Sequence, residues 1–159
     1  MALKFSIIAV GRLKTDYARL GCERFLTRLR RYHPVEHVEV RDVRRRKNRS
    51  VEQYRVEEEE AILSKIQSGS LTVALDERGR QWTSVELATW VESQKLNSVS
   101  HINFLIGGPD GLSDSLRARA HRVWSLGQLT LPHEMARLLL FEQLYRASSL
   151  NAGHPYHRE

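Results

Sequence analysis

Hydrophobic positions along the chain follow two alternating patterns. Short runs of consecutive, often β-branched apolar residues occur at 4–10 (KFSIIAV), 71–75 (LTVAL) and 101–106 (HINFLI). A weaker alternating run lies at 35–40 (VEHVEV) and another near 123–131, so five strands are predicted. Between and after them, over 15–32, 51–67, 84–96, 113–122 and 132–150, the spacing predicts helices. Thr83 followed by Glu86 fits a capping box, and Pro132 suits the first turn of the last helix, where its missing N–H costs nothing. The glutamate run 57–60 reads as the solvated face of the second helix. Strands apolar on both faces and separated by helices predict the α/β class, with a mainly parallel sheet flanked by helices. No linker, repeat or low-complexity segment divides the chain, so one domain over 1–159 is expected.

Composition narrows this picture. The chain has 159 residues, of which 41% are apolar and 28% charged, which suits a globular domain with a core. Its longest apolar stretch near the N-terminus, FSIIAV, falls far short of the roughly 20 residues of a membrane-spanning helix. No signal-peptide pattern opens the chain, and the lone Cys22 has no partner for an internal disulfide. The expectation is a cytoplasmic protein with no membrane partner.

Charge is distributed unevenly. Residues 1–50 carry 14 basic and 5 acidic side chains, whereas the remainder carries 11 and 14. The excess concentrates in RDVRRRKNR (41–49), where Arg44, Arg45 and Arg46 stand in succession. Such a block is either a solvated loop or a contact for a polyanion, and a phosphate backbone is the leading candidate. No aromatic or leucine residues interleave it, which argues against a membrane surface.

In open parallel sheets, ligands bind beyond the carboxyl ends of the strands. The segments after residues 75 and 106 are therefore candidates. The second, IGGPDGL (106–112), has three glycines that permit positive φ and close approach of the backbone to a ligand; the alternative is a tight strand-to-helix turn. Neither GxGxxG nor GxxxxGK[ST] is present, so dinucleotides and ATP lack their usual signature. The last helix is apolar around more of its circumference than one sheet can cover, which predicts a homodimer unless the helix packs deep within its own chain. The terminal NAGHPYHRE gathers His154, Tyr156, His157 and Arg158. No third ligand accompanies the two histidines, and His133-Glu134 does not continue to HExxH, so no metal is expected; no GxSxG elbow suggests a serine hydrolase.

IGGPDGL, LTLPHEMARLLLFEQLYRA (129–147) and the terminal HPYHRE, in this order and spacing, resemble the YbeA-like branch of the SPOUT methyltransferases, the ribosomal large-subunit pseudouridine N(3)-methyltransferases. VGRLK (10–14) is similar to that family's opening, so the resemblance spans nearly the whole chain. Glu134 stands where relatives more often have an uncharged residue. The resemblance implies S-adenosylmethionine as methyl donor, a homodimer, and a SPOUT fold whose C-terminal segments thread a trefoil knot. It implies that the cofactor lies against Leu75, Gly108 and the segment Leu126, Gly127, Gln128, Leu129, Thr130 and Leu131. The implied substrate is a pseudouridine of 23S rRNA in the assembled ribosome, which would supply a polyanion for Arg44, Arg45 and Arg46.

The chemistry is attack of a base nitrogen on an activated methyl group, and it requires neither a metal nor a covalent enzyme intermediate. The imide nitrogen must lose a proton. His157 is the candidate base, Arg158 the stabiliser of the anion, and Tyr156 a partner for the base ring. Arg146 is assigned to binding a phosphate or holding the tail, and His154 to the substrate. The alternative is a ribosome-associated RNA-binding factor that retains the fold without catalysis.

Overall fold

The computed structural model describes residues 2–43 and 46–158. Arg44 and Arg45, two of the arginines assigned to the substrate, lie outside the described residues. The elements run β1 (Lys4–Val10), α1 (Asp16–Leu29), β2 (Val35–Val40), α2 (Val51–Leu63), β3 (Leu71–Gln81), α3 (Ser84–Leu96), β4 (His101–Ile106), α4 (Asp114–Arg119), β5 (Arg122–Ser125) and α5 (His133–Asn151), followed by a 3₁₀ turn at Pro155–Arg158. All strand pairs are parallel, in the order β2-β1-β4-β3-β5. The central strands β1 and β4 are almost wholly buried, which is why they read as unbroken apolar runs. Ser6 is tolerated within β1 because its hydroxyl bonds His101 Nε2 at 2.7 Å.

Alternation along the strands builds a core on each face of the sheet. Phe5, Ile7, Ala9, Ile102 and Phe104 pack beneath α1, α3 and α5, joined by Leu140, Phe141 and Leu144 of α5. Ile8, Val10, Ala74 and Leu105 face the other way, against Ile62 of α2 and Leu116 of α4. The expected capping box at Thr83 forms, with Thr83 Oγ1 accepting from the Glu86 N–H at 3.0 Å and Glu86 accepting from the Thr83 N–H at 2.7 Å. Pro132 sits one step earlier than expected, at the N-cap of α5.

Two expectations need correction. The last strand ends at Ser125 and not near 131; residues 126–132 form a loop whose leucines turn toward a cleft instead of a sheet neighbour. β3, by contrast, runs past 75 to Gln81. Leu75 and Arg80 both pair with Trp124, so residues 76–79 bulge from the ladder. Gly79 closes the bulge: a Cβ there would lie 2.5 Å from the Val123 carbonyl oxygen, so a side chain cannot be accommodated without moving backbone.

α5 lies between α1 and α3. Leu138 packs so closely on α1 that a Cβ at Gly21 would be 2.6 Å from its Cδ1. Much of the apolar circumference of α5 is thus covered within the chain, and Met135 and Leu139 remain exposed beside an α1 that itself exposes Tyr17 and Leu20.

α5 also carries Arg137, fully buried. Its guanidinium bonds Glu39 at 2.7 Å and the carbonyls of Val10 and Gly11 at 3.3 and 3.1 Å, and lies 3.4 Å from His37 Nε2. Burial, reinforced by the Arg137 charge, pushes His37 down to about 4. An imidazole depressed on folding stays neutral in the native state while the unfolded chain takes up a proton, so its contribution is present above about pH 6.5 and is lost as pH falls toward 4. His33 and His101 are lowered in the same direction, chiefly by burial. Urea midpoints should therefore drop between pH 7.5 and pH 5, with His37 contributing on the order of 2 kcal/mol. His37→Gln, which keeps an acceptor for Arg137, should flatten the profile.

Candidate functional site

The carboxyl ends of β3 and β4, the bulge 76–79, the glycine loop 107–112 and the loop 126–131 surround a cleft of about 270 Å³, near the lower end of small-molecule sites. This is where the parallel-sheet rule places a ligand. Of the residues implied as cofactor contacts, Leu75, Gly108, Leu126, Gly127, Leu129, Thr130 and Leu131 line it. Gln128 lies on the same loop but is exposed and outside the lining.

Each loop has a local reason for its shape. The glycine loop closes by a Gly111 N–H to Gly108 carbonyl bond at 2.9 Å, with Gly111 at φ +71°. A Cβ at Gly107 would stand 2.7 Å from the carbonyl carbon of Gly111, so that crossing point admits only glycine. In the last loop Ser125 Oγ accepts from the Gly127 N–H at 3.1 Å and donates to the Gly127 carbonyl at 2.8 Å, holding Gly127 at φ +145°. Thr130 Oγ1 donates to Glu77 of the bulge at 3.2 Å, joining two walls of the cleft.

Several lining residues went unassigned in the sequence. Asp76, Glu77 and Arg78 fill the bulge. Their position directly after a predicted strand was the available signal. Asp76 pairs with Arg117 of α4 at 3.1 Å, both side chains being nearly buried. Trp124, also in the wall, stacks on Trp82 with ring centroids 5.5 Å apart. Its indole N–H is buried with no partner among the described residues. Trp124 is thus part of the site wall, with Trp82 behind it. The glutamate run also needs correction: Glu58 is buried against Gly108, and Glu59 accepts from the Ser113 N–H at 2.7 Å.

The tail residues lie elsewhere. Tyr156 packs on Tyr145 with ring centroids 4.5 Å apart and donates to Glu142 at 3.1 Å, while Arg146 bonds the same carboxylate at 2.5 Å and sits over the Tyr156 ring at 4.9 Å. Burial and the neighbouring Glu142 charge hold the Tyr156 phenol above its ordinary value, so it remains a donor. His154 Nδ1 meets the hydroxyl of Tyr32, just ahead of β2, at 2.5 Å. His157 and Arg158 are exposed. The tail thus rests near the amino ends of the strands, whereas the cleft opens at their carboxyl ends. The 19 residues of α5 separate the two by about 27 Å. Within one chain the residues implied as cofactor contacts converge, and those assigned to catalysis stay apart from them. Arg46 of the basic segment is exposed, its backbone held by the Tyr54 hydroxyl, which donates to the Arg46 carbonyl at 2.5 Å.

Residues 3–157 match the family model described as "Predicted SPOUT methyltransferase". The chain belongs to the SPOUT methyltransferases. Proteins called ribosomal RNA large subunit methyltransferase H are similar over their full length: that of Deinococcus deserti is 44% identical, covering 98% of this chain and 100% of the relative, and that of Hahella chejuensis is 40% identical, covering 99% and 100%. A probable methyltransferase from Bordetella pertussis shares the fold, with a TM-score of 0.55 at 14% identity, covering 92% of this chain and 96% of that one. This SPOUT member is accordingly a methyltransferase, and its reaction needs one surface for a methyl donor and another for the acceptor. Among the described residues no helix is long and apolar enough to cross a membrane, and no cluster of three or more His, Cys, Asp or Glu residues could hold a metal ion.

Proposed function

We propose that the protein transfers a methyl group from S-adenosylmethionine to N(3) of a pseudouridine in 23S rRNA of the assembled cytoplasmic ribosome, and that it works as a homodimer. The convergence of the glycine loop, the bulge and the leucine loop on one cleft at the sheet's carboxyl edge carries this reading. The names of the full-length relatives support the rRNA substrate.

The cleft residues fit the donor. Leu126, Leu129 and Leu131 offer apolar surface for an adenine ring, with main-chain groups between them for its polar edge. The space a side chain would occupy at Gly111 and Gly127 is open, so a ligand can approach their backbone. Glu77 and Asp76, the latter shared with Arg117, add carboxylates to the lining that can attract a sulfonium or ammonium group. When bound, the donor supplies an electrophilic methyl carbon. The chain must then orient the base, accept the imide proton and stabilise the negative charge left on the ring. His157 is assigned to the proton, Arg158 to the charge, and Tyr156, kept protonated beside Glu142, to orienting the tail or the base.

A chain's own tail lies a helix length from its cleft, which supports a tail supplied by a second copy. A two-fold axis crossing α5 near its middle would set two such helices antiparallel and bring each tail toward the partner's cleft. Tyr17, Leu20, Met135 and Leu139 give this contact an apolar surface. The knot implied by the resemblance belongs to the same proposal, since threading would fasten the 126–131 loop against the donor.

Light scattering should give twice the 18.4 kDa chain mass. S-adenosylmethionine at about 100 times its Kd should stabilise the native state by about 2.7 kcal/mol, read as a raised Tm. No shift at saturation would leave the RNA-binding alternative in its place.

A further inference from the structure

The glycine loop makes one internal backbone bond, between Gly108 and Gly111, and glycine-rich backbone left to itself samples many shapes. Arg117 of α4 bonds the Leu112 carbonyl at the loop's end, and the rest is held by α2, a helix outside the implied cofactor set although its Arg55 lines the cleft. Arg55, Glu58 and Glu59 share one face of α2 at i, i+3 and i+4. Arg55 directs Nε and Nη2 to the single carbonyl of Asp110 at 3.1 and 2.6 Å. Glu59 takes the Ser113 N–H just beyond the loop, and the buried Glu58 carboxylate lies 3.3 Å from where a Cβ of Gly108 would stand. The helix face therefore bonds the loop at its tip and its exit and packs against its start.

We propose that Arg55, backed by Glu59, is a positioning residue for the methyl donor: by fixing the Asp110 carbonyl it sets the peptide groups of Gly108 to Gly111 in the shape the donor meets. The inference rests on the donor cleft proposed above. A forked guanidinium suits the task, because two donors on one carbonyl fix its direction where an ammonium would fix only its distance. A loop held in its bound shape before the ligand arrives spares the ordering cost of binding.

The test is calorimetric titration of wild type, Arg55→Met, Arg55→Lys, Glu59→Ala and Glu59→Gln with S-adenosylhomocysteine and with methylthioadenosine, which lacks the amino-acid portion. Loss of a charge-assisted bond predicts a Kd raised on the order of tenfold in Arg55→Met for both ligands, with part of the loss recovered in Arg55→Lys. Glu59→Ala should weaken both ligands similarly, and Glu59→Gln, which keeps an acceptor for Ser113, should restore them.

A loss confined to S-adenosylhomocysteine would mean that Arg55 touches the donor's carboxylate directly, and would overturn the positioning role. So would lowered Tm values with unchanged Kd in the Arg55 and Glu59 variants, the mark of a purely structural contact. Should Arg55→Met fail to fold, Arg55→Lys and the Glu59 pair carry the same comparison. Wild type binding neither ligand would sink the proposed function and this inference together, whereas tight wild-type binding with unaltered variants would sink this inference alone.

Discussion

Mixing two inactive variants, Gly107→Val and Arg158→Ala, should restore methyl transfer to about a quarter of the wild-type rate. Gly107→Val puts a branched side chain where even a Cβ meets the Gly111 backbone at 2.7 Å, so the glycine loop cannot close and the proposed donor site is lost. Arg158→Ala leaves the cleft intact and removes the cation assigned to the imide anion, an electrostatic loss on the order of 10² to 10³ in rate. If each tail serves the partner's cleft, a mixed dimer has one site with both lesions and one with neither. Random reassociation of equal amounts makes half the dimers mixed, so about a quarter of all sites are whole. If each tail served its own cleft, every site would carry a lesion and mixing would restore nothing. The measurement is methyl incorporation into ribosomes after the two variants are unfolded and refolded together, with separately refolded samples as controls. A flat result would remove the shared site while leaving donor binding untouched.

What the amino-acid pattern disclosed and what it withheld divide along physical lines. Buried parallel strands such as HINFLI must be apolar on both faces, and capping residues such as Thr83 and Glu86 act within one turn, so both are local and legible. The glycine loop was legible because the backbone crossing at Gly107 admits only glycine. The bulge at 76–79 was not, since its polar residues look like any loop and only Gly79, pressed on Val123, hints at a close approach. Arg55 and Glu59 were equally silent. They sit in a charged helix and gain meaning only when α2 is laid across a loop more than 50 residues away. Nor does periodicity say that α5 separates the tail from the cleft in its own chain; that needs the direction of every strand.

The same limit applies to the residue whose loss should cost the most stability. Arg137 reads as one charge among many on a mixed helix, yet it is wholly enclosed where α5 crosses the ends of β1 and β2. Arg137→Ala should lower the unfolding free energy by about 3 to 5 kcal/mol, a large share of the 5 to 15 typical of a domain. Two terms add. The carbonyls of Val10 and Gly11 lose their donor, and a space the size of an arginine side chain opens between α5 and the sheet. Glu39 moderates the loss, because its partly exposed carboxylate can turn to water and still accept from the Leu13 N–H. Arg137→Met, which refills most of the volume, should therefore cost less, about 2 kcal/mol, and adding Glu39→Gln should recover part of that. Urea unfolding at fixed protein concentration provides the measurement, since dissociation of the proposed dimer would otherwise shift the midpoint. Removing the guanidinium also removes a charge that depresses His37, so the loss of stability between pH 6.5 and pH 4 should become shallower in both variants. Wild-type stability in Arg137→Ala with an unaltered pH profile would mean that water replaces the guanidinium at no cost, and the buried cation would lose its place as the tie between the last helix and the sheet.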